Sequence, residues 1–254
     1  MSGTVYLVGA GPGAADLLTL RAANLLARAD ILFHDALVHP ETLALATRAE
    51  KIAVGKRCGR HSTAQRFINK RLVDAAGRYE TVVRLKGGDP MLFGRAQEEL
   101  AALEAAHIRY RVVPGITAAL AAAAEIGTSL TQRGSVRSFA LATPRAGDDE
   151  RSSNWIEGFH AADAGAIYMG LREAPAIAAS LIAAGRPAST PVAIVVDASL
   201  PTANTHYTTL AGLPAYADVD VTGPALLLVG PQFHARTRHS TMHDADTRAI
   251  AQHI

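Results

Sequence analysis

Short apolar runs rich in Val, Ile and Leu alternate along the chain with longer amphipathic segments, a pattern that indicates alternating strands and helices. We therefore predict an α/β fold. A turn at Pro114 and Gly115 divides it into an N-terminal α/β domain (residues 1–114), a C-terminal α/β domain (residues 115–233) and a polar tail (residues 234–254). The predicted strands are residues 4–8, 31–33, 52–54, 82–85, 110–113, 139–142, 166–170, 191–196 and 225–229. Helices are predicted over residues 17–29, from Met91 onward, over residues 117–125 and over residues 174–184.

The composition argues against a membrane-spanning, secreted or nucleic-acid-binding protein. The chain has 254 residues, of which 49% are hydrophobic, so it can bury a full core, and its net charge of +2 is too small to argue for nucleic acid. No apolar run approaches the roughly 20 residues of a membrane span. Residues 1–15 lack the basic start and cleavage site of a signal peptide, and the single cysteine, Cys58, excludes an intramolecular disulfide. We expect a cytoplasmic protein that binds neither nucleic acid nor membranes.

A Gly-Gly-Asp turn follows the predicted strand at residues 82–85. Gly87 and Gly88 permit backbone angles that other residues avoid, and Pro90 ends the strand. Open α/β sheets bind ligands at the carboxyl ends of their strands, where Asp89 can accept hydrogen bonds from hydroxyl or ammonium donors. The alternative is an ordinary strand-to-helix turn in which Asp89 caps the helix.

The first strand runs into a second glycine-rich loop. Residues 9–14 match G-x-G-x-x-A, and Asp35 falls near the position of a ribose-binding acid, so the motif taken alone predicts a dinucleotide-binding fold. Pro12 argues against it, because it removes a backbone donor from the loop that would hold a pyrophosphate. A tight turn without a ligand is the alternative. Asp35 itself ends a strand, where it can act as a general base or cap the next helix.

Residues 56–71 contain basic side chains and no acidic one. Such a segment attracts a polycarboxylate substrate or nucleic acid, or it is simply a solvated helix face. Phe67 is its single aromatic residue, which argues against single-stranded nucleic acid. Lys56 and Arg57 lie beside Gly55 at the end of a strand, so we expect these two to reach a site.

A helix start, a methionine at a strand end and a pair of histidines are further candidates for ligand binding. Thr117 and Ala118 begin a helix, where free N–H groups can meet a ligand, although Thr117 can be an ordinary cap. Met169 ends a strand, where methionine belongs more often to the core than to a site. His239 and His243 have the spacing of a helical metal pair, but no third ligand is evident, so we predict no metal site.

Taken together, these segments resemble the tetrapyrrole C-methyltransferases, and within them the subgroup that acts on uroporphyrinogen. The resemblance covers residues 5–233 and departs from the family pattern at Gln132, where relatives usually have histidine, and at residues 143–145. The segments that carry it, in the family's order, are VYLVGAGPGAADLLTLRA, HDALV, VGKR, VVRLKGGDPMLFGR, VVPGITAA, IYMGL, TPVAIV and GPALLLVG.

The resemblance implies that S-adenosylmethionine, rather than a dinucleotide, binds in a cleft between the two α/β domains. By the family's motifs, Asp35 is the proton acceptor, Lys56 the proton donor and Arg95 a cation on the substrate side. Family members are homodimers. The residues implied to line the cofactor site are Pro12, Gly87, Gly88, Asp89, Leu92, Thr117, Ala118, Met169 and Ala198.

The implied reaction is methylation of uroporphyrinogen-III at two ring carbons to give precorrin-2, with S-adenosylhomocysteine released and no metal required. A basic rim of Lys56, Arg57 and Arg95 suits a substrate with several carboxylates. The product would feed sirohaem or cobalamin biosynthesis. The alternatives are a methyltransferase acting on a later (cobalt-)precorrin intermediate, and a non-catalytic relative that binds tetrapyrrole or nucleic acid.

Overall fold

The computed structural model describes residues 3–54, 61–146, 153–219, 221 and 223–235, with the backbone alone for residues 61–64. Two five-stranded sheets organise them, one in each half of the chain. Within these ranges, no helix is both long and apolar enough to cross a membrane.

The first sheet is entirely parallel and has the strand order β3-β2-β4-β1-β5. All its strands therefore end at the same edge, which we call the first-sheet edge. Its strands are β1 (Thr4–Gly9), β2 (Ile31–His34), β3 (Glu50–Ala53), β4 (Thr81–Lys86) and β5 (Arg109–Val113). The helices of this half are α1 (Leu20–Arg28), α2 (Pro40–Ala44), α3 (His61–Ala76) and α4 (Ala96–Ala105).

Both faces of the first sheet are covered, as a parallel sheet of near-continuous apolar strands requires. Successive residues of a strand point to opposite faces. Val5 and Leu7 thus pack with Leu72 of α3 and Leu103 of α4, whereas Val8 packs on the other face in the cluster that contains α1.

The second sheet is mixed, with the order β6-β7-β10-β8-β9. Strands β6 and β7 are parallel, and β10 runs antiparallel to both β7 and β8, so β6, β7 and β8 end at a common edge, the second-sheet edge. The strands are β6 (Phe139–Ala142), β7 (Ala164–Tyr168), β8 (Pro191–Val196), β9 (Asn204–Thr209) and β10 (Ala225–Val229). The helices are α5 (Ala118–Glu125), α6 (Trp155–Ala161) and α7 (Ala174–Ala183). Helices α6 and α7 pack in one core cluster of this sheet and α5 in another.

The α/β class predicted from the sequence is confirmed, and each predicted strand is present within a few residues of its expected bounds. The helix expected from Met91 is wrong at its start, because α4 begins at Ala96 after Phe93 and Arg95 adopt positive φ angles of 51° and 55°. The first helix begins at Leu20 rather than residue 17, since the Thr19 hydroxyl accepts the N–H of Ala22 and caps it there.

The elements α2, α6 and β9 were not predicted, and α3 was foreseen only as the helix-face alternative for residues 56–71. Strand β9 has the polar sequence NTHYTT and lies at the edge of its sheet, where one side needs no partner strand. The domain boundary at Pro114 and Gly115 remains a prediction; β5 ends just before it and α5 packs on the second sheet.

Candidate active site

Three loops at the first-sheet edge meet backbone to backbone through Gly9, Gly88 and Gly115, which we call the glycine junction. A Cβ added to Gly115 would lie 2.3 Å from the Gly88 carbonyl oxygen and 2.9 Å from the Gly9 Cα. Gly88 also exchanges backbone hydrogen bonds with Gly11, of 2.7 and 3.2 Å. The junction therefore leaves no room for a side chain on Gly9 or Gly115, and it fixes the loops after β1, β4 and β5 relative to one another.

Asp89 fastens this junction. Its Oδ2 accepts the N–H of Gly115 at 2.8 Å, and its Oδ1 accepts the N–H of Met91 at 2.8 Å. The sequence suggested that Asp89 accepts from ligand donors or caps a turn. Both carboxylate oxygens bind backbone amides, so Asp89 holds the turn and the junction together, although it does not cap α4, whose N-cap is Arg95. That Asp89 also binds a ligand remains a prediction.

The two sheet edges face each other across direct contacts. The N–H of Ala14, in the loop after β1, donates to Ser199 Oγ at 3.1 Å. A Cβ on Gly13 would lie 2.9 Å from the Leu200 side chain. Pro12 and Ala198, which the family motifs place in one site, flank this contact from opposite sheets.

Tyr168, the last residue of β7, joins the two edges at a second point. Its hydroxyl lies 2.7 Å from Thr117 Oγ1 and accepts the N–H of Ala119 at 3.1 Å, and its ring centroid is 5.1 Å from that of Phe93. Burial raises the pKa of Tyr168. Met169 follows with a positive φ of 56° and a 45% exposed side chain. Sequence reasoning singled out Met169 and missed Tyr168, although both stand in the segment IYMGL.

Asp35 lies at the carboxyl end of β2. Its Oδ1 accepts a hydrogen bond of 2.6 Å from Arg84 Nη2, and its side chain is 29% exposed against 3% for Arg84. Behind it, Arg84 Nε donates to Glu99 Oε1 at 3.0 Å, and Lys86 Nζ lies 3.1 Å from both oxygens of Glu99. We call Asp35, Arg84, Lys86 and Glu99 the charge network.

The charge network shifts the pKa values of its two cations in opposite directions. Burial lowers the pKa of Lys86, and the charge of Arg84 adds to that effect. Burial also acts to lower the pKa of Arg84, but the carboxylates of Asp35 and Glu99 outweigh it and raise that pKa. The signal for this network was available in the sequence, because two cations in the apolar strand VVRLK need buried partners.

Arg95 occupies the N-cap of α4, at the end of the turn formed by residues 91–95 (the 91–95 turn). Its guanidinium forms a two-pronged pair with Glu98, with distances of 2.6 and 2.8 Å. Leu92, in the same turn, donates its N–H to the Asp89 carbonyl at 3.3 Å. Arg95 is thus presented at the surface on an ordered turn, close in sequence to the glycine junction.

Only part of the basic segment at residues 56–71 can be placed. Lys56 and Arg57 lie outside the described residues. Lys70 pairs with Asp74 at 2.5 Å on the surface of α3. The Arg71 guanidinium stacks on the rings of Phe33 and Phe67 at 5.6 and 5.3 Å. Lys70 thus lies on a solvated helix face, one of the three interpretations of this segment, whereas Arg71 packs against aromatic rings.

Backbone strain concentrates on the loops at these edges. Non-glycine residues with positive φ cost free energy and persist where the surroundings enforce them, commonly at functional sites. Asp197 and Ser199 have φ angles of 52° and 76° on either side of Ala198, and Met169, Phe93 and Arg95 are further cases. Across the part of the chain that the structure describes, no three His, Cys, Asp or Glu side chains are grouped to hold a metal ion. His239 and His243 lie outside that part.

A match to a protein-family model distinguishes the dinucleotide-binding fold from the methyltransferase fold, the two that the glycine-rich loops suggested. Residues 4–214 match the model of the Tetrapyrrole (Corrin/Porphyrin) Methylases. The chain belongs to the tetrapyrrole methylase family. The match runs from β1 through β9, so it includes both sheet edges, and it confirms the resemblance carried by the sequence segments over the dinucleotide-binding interpretation.

Relatives among characterised proteins include siroheme synthases. The chain is 44% identical over 238 residues to the siroheme synthase of Azotobacter vinelandii, covering 93% of this chain and 51% of the relative. It is 46% identical over 230 residues to siroheme synthase 1 of Klebsiella pneumoniae, covering 90% and 49%. The chain thus spans about half the length of the curated relatives it matches.

Solved structures of similar length also match. The uroporphyrin-III C-methyltransferase of Thermus thermophilus, in complex with S-adenosylhomocysteine, superposes with a TM-score of 0.77 at 36% identity, covering 90% of this chain and 97% of that one. Its native form superposes with a TM-score of 0.80 at 34% identity, covering 97% and 100%. The two-sheet architecture is therefore that of tetrapyrrole methylase structures.

Proposed function

We propose that this chain transfers methyl groups from S-adenosylmethionine to two ring carbons of uroporphyrinogen-III, giving precorrin-2 and S-adenosylhomocysteine. The observation that carries the proposal is the meeting of the two sheet edges, with Asp35 and the glycine junction on one and Met169 and Ala198 on the other. We place the active site between an N-terminal domain of residues 1–114 and a C-terminal domain of residues 115–233. The 36% sequence identity to the Thermus enzyme, over 97% of that chain, supports this assignment.

The residues present suit a ligand with both polar and apolar parts. Gly87 and Gly88 are half-buried, and a Cβ on Gly88 would meet nothing closer than the Thr117 Cα at 4.0 Å, so a small molecule can approach their backbone. Leu37, which is 66% exposed, and Met169, which is 45% exposed, offer apolar surface to the same region of the fold. The residues that would hold the cofactor are Pro12, Gly87, Gly88, Leu92, Thr117, Ala118, Met169 and Ala198, with Asp89 bracing the turn.

Bound S-adenosylmethionine supplies a methyl group on a positively charged sulfonium, which is electrophilic without a metal. The chain's main contribution is to hold the electron-rich ring carbon in line with that methyl group. Methylation leaves the ring system with a proton to lose, and we propose that the carboxylate of Asp35, which is partly exposed, accepts it. Lys56 is proposed as the proton donor on the strength of the family motif alone.

The substrate's carboxylates need cations at the rim of the site. Arg95 is proposed for this role because its planar guanidinium already binds a carboxylate, that of Glu98, through two parallel hydrogen bonds. In this proposal a substrate carboxylate competes with Glu98 for the guanidinium of Arg95. We further propose that the protein acts as a cytoplasmic homodimer, without nucleic acid or a membrane.

The test is anaerobic incubation with uroporphyrinogen-III and methyl-labelled S-adenosylmethionine, comparing the wild type with Asp35→Asn. We expect two labels per macrocycle in the wild type and a loss of about 100-fold or more in the variant. One label per macrocycle would limit the reaction to a single methylation and direct attention to the departures at Gln132 and residues 143–145. No label, with S-adenosylhomocysteine still bound, would overturn the substrate and favour a later precorrin.

A further inference from the structure

Glu99 carries the most buried charge in the charge network. It lies in the first turns of α4 with a relative exposure of 0%. Its carboxylate accepts hydrogen bonds from Arg84 Nε at 3.0 Å, from Lys86 Nζ at 3.1 Å and from Gln65 Nε2 at 3.2 Å. Three side chains thus donate to this buried carboxylate, so it is fully paired inside the fold.

One branch of the network leads from Glu99 to Asp35. The Arg84 guanidinium donates from Nε to Glu99, from Nη1 to the Leu85 carbonyl at 3.1 Å and from Nη2 to Asp35 Oδ1 at 2.6 Å. Because the guanidinium is planar and rigid, fixing two of its corners fixes the third. Glu99 thereby determines where Asp35 Oδ1 is held.

The other branch leads to the 91–95 turn. Lys86 Nζ binds both oxygens of Glu99. The Cε atom of the same lysine packs against the 91–95 turn, 3.1 Å from where a Cβ on Gly94 would be. By holding the Lys86 side chain, Glu99 therefore supports the turn that carries Arg95. A single buried carboxylate connects the proposed proton acceptor with the proposed substrate-binding cation.

We propose that Glu99 is a positioning residue for the methylation: through Arg84 it holds Asp35, and through Lys86 it holds the 91–95 turn. This inference rests on the proposed function. It adds a fully buried residue that the family motifs did not single out in the sequence.

The decisive variant is Glu99→Gln, which keeps the shape of the side chain and removes the charge. We expect kcat for methyl transfer to fall by about 10- to 100-fold, because the acceptor is displaced. The KM for uroporphyrinogen-III should rise as well, because the turn that carries Arg95 loses its support, whereas a mere loss of folded protein would lower kcat and leave KM unchanged. Glu104→Gln, on the exposed side of α4 where Glu104 pairs with the Tyr110 hydroxyl, is the matched control and should keep kcat and KM at the wild-type values.

A double variant, Glu99→Gln with Lys86→Met, keeps the test valid if the single variant does not fold, because it removes one charge of each sign from the buried network. Its kcat should stay low, because Arg84 has lost the same partner. A folded Glu99→Gln or double variant with wild-type kcat and KM, beside an inactive Asp35→Asn, would overturn this inference alone. Full activity of Asp35→Asn would overturn the base assignment and this inference together.

Discussion

The hydroxyl of Tyr168 lies 2.7 Å from the hydroxyl of Thr117, so the last residue of β7 is tied to the N-cap of α5. The same Tyr168 oxygen accepts the N–H of Ala119, in the first turn of that helix. The ring of Tyr168 contacts Phe93 in the 91–95 turn. One side chain thus sets the positions of the two proposed cofactor-binding segments, residues 117–118 and Met169, relative to the turn that bears Arg95.

Removing this hydroxyl should weaken cofactor binding. Tyr168→Phe keeps the ring contact and leaves the Ala119 N–H without its side-chain acceptor. We expect the affinity for S-adenosylhomocysteine to fall by about 1 kcal/mol, or about fivefold, in a calorimetric titration. Tyr216→Phe, whose ring packs on His206 away from the two sheet edges, is the control and should bind as the wild type does. Equal affinities of the two variants would contradict the role given to Tyr168.

The glycine junction should not tolerate a methyl group. In Gly115→Ala the new Cβ would meet the Gly88 carbonyl oxygen at 2.3 Å, so the loops must separate. We expect a loss of about 1–3 kcal/mol in the free energy of unfolding, measured in urea, together with weaker binding of S-adenosylhomocysteine.

The chain offers a matched control for that substitution. A Cβ on Gly158, inside α6, would meet nothing within 4 Å. Gly158→Ala should therefore raise stability by about 0.5–1 kcal/mol, since alanine favours the helix. If Gly115→Ala proved as stable as Gly158→Ala, the close backbone contact at the junction would be wrong.

A pH-dependent contribution to stability is expected from Asp163, before β7. Its Oδ2 accepts the N–H groups of Ser138 and Arg137 and the Ser138 hydroxyl, and these bonds, the backbone ones first, lower the pKa of Asp163 in the folded state. A lowered folded pKa stabilises the protein above the unfolded value, and this stabilisation is lost as the pH falls through the folded pKa.

Asp163→Asn tests that sign. The variant should unfold at a lower urea concentration than the wild type at pH 7, and the difference should shrink progressively below about pH 4. Asp16→Asn, at an exposed position in the loop after β1, should follow the wild type at both pH values. A difference that persisted unchanged into acid would mean that the amide disturbs packing rather than charge.

The strand ends could be predicted from the sequence because each apolar run stops at a residue that blocks its continuation, as at Pro90 or Gly115. Since the strands of a parallel sheet end together, the residues at those ends could be expected to lie close to one another, which is how the proposed site was put together. The charge network could not be located in this way. Arg84 meets Glu99 only because α4 starts at Ala96, after the positive φ of Arg95, and that start was predicted five residues too early, at Met91. The role of Tyr168 could not be predicted, because aromatic residues commonly end strands and its hydrogen-bond partner Thr117 is 51 residues away in the sequence.

Two roles are open to Asp89: it can stabilise the fold, or it can bind a ligand. Both of its carboxylate oxygens accept backbone N–H groups, from Met91 and from Gly115. Asparagine can accept one of these bonds, but its amide nitrogen would face the other N–H donor. Asp89→Asn should therefore lower the free energy of unfolding of the ligand-free protein by about 1–3 kcal/mol.

Urea unfolding of the ligand-free protein distinguishes the two roles of Asp89. If Asp89 served only to bind cofactor, Asp89→Asn would leave urea unfolding of the free protein unchanged and would reduce only the stabilisation gained on adding S-adenosylhomocysteine. If it braces the glycine junction, stability falls first, and cofactor affinity falls because Gly88 and Gly115 are no longer held together. Asp74→Asn, which removes an exposed ion pair with Lys70, controls for the loss of a surface carboxylate and should cost less than about 1 kcal/mol.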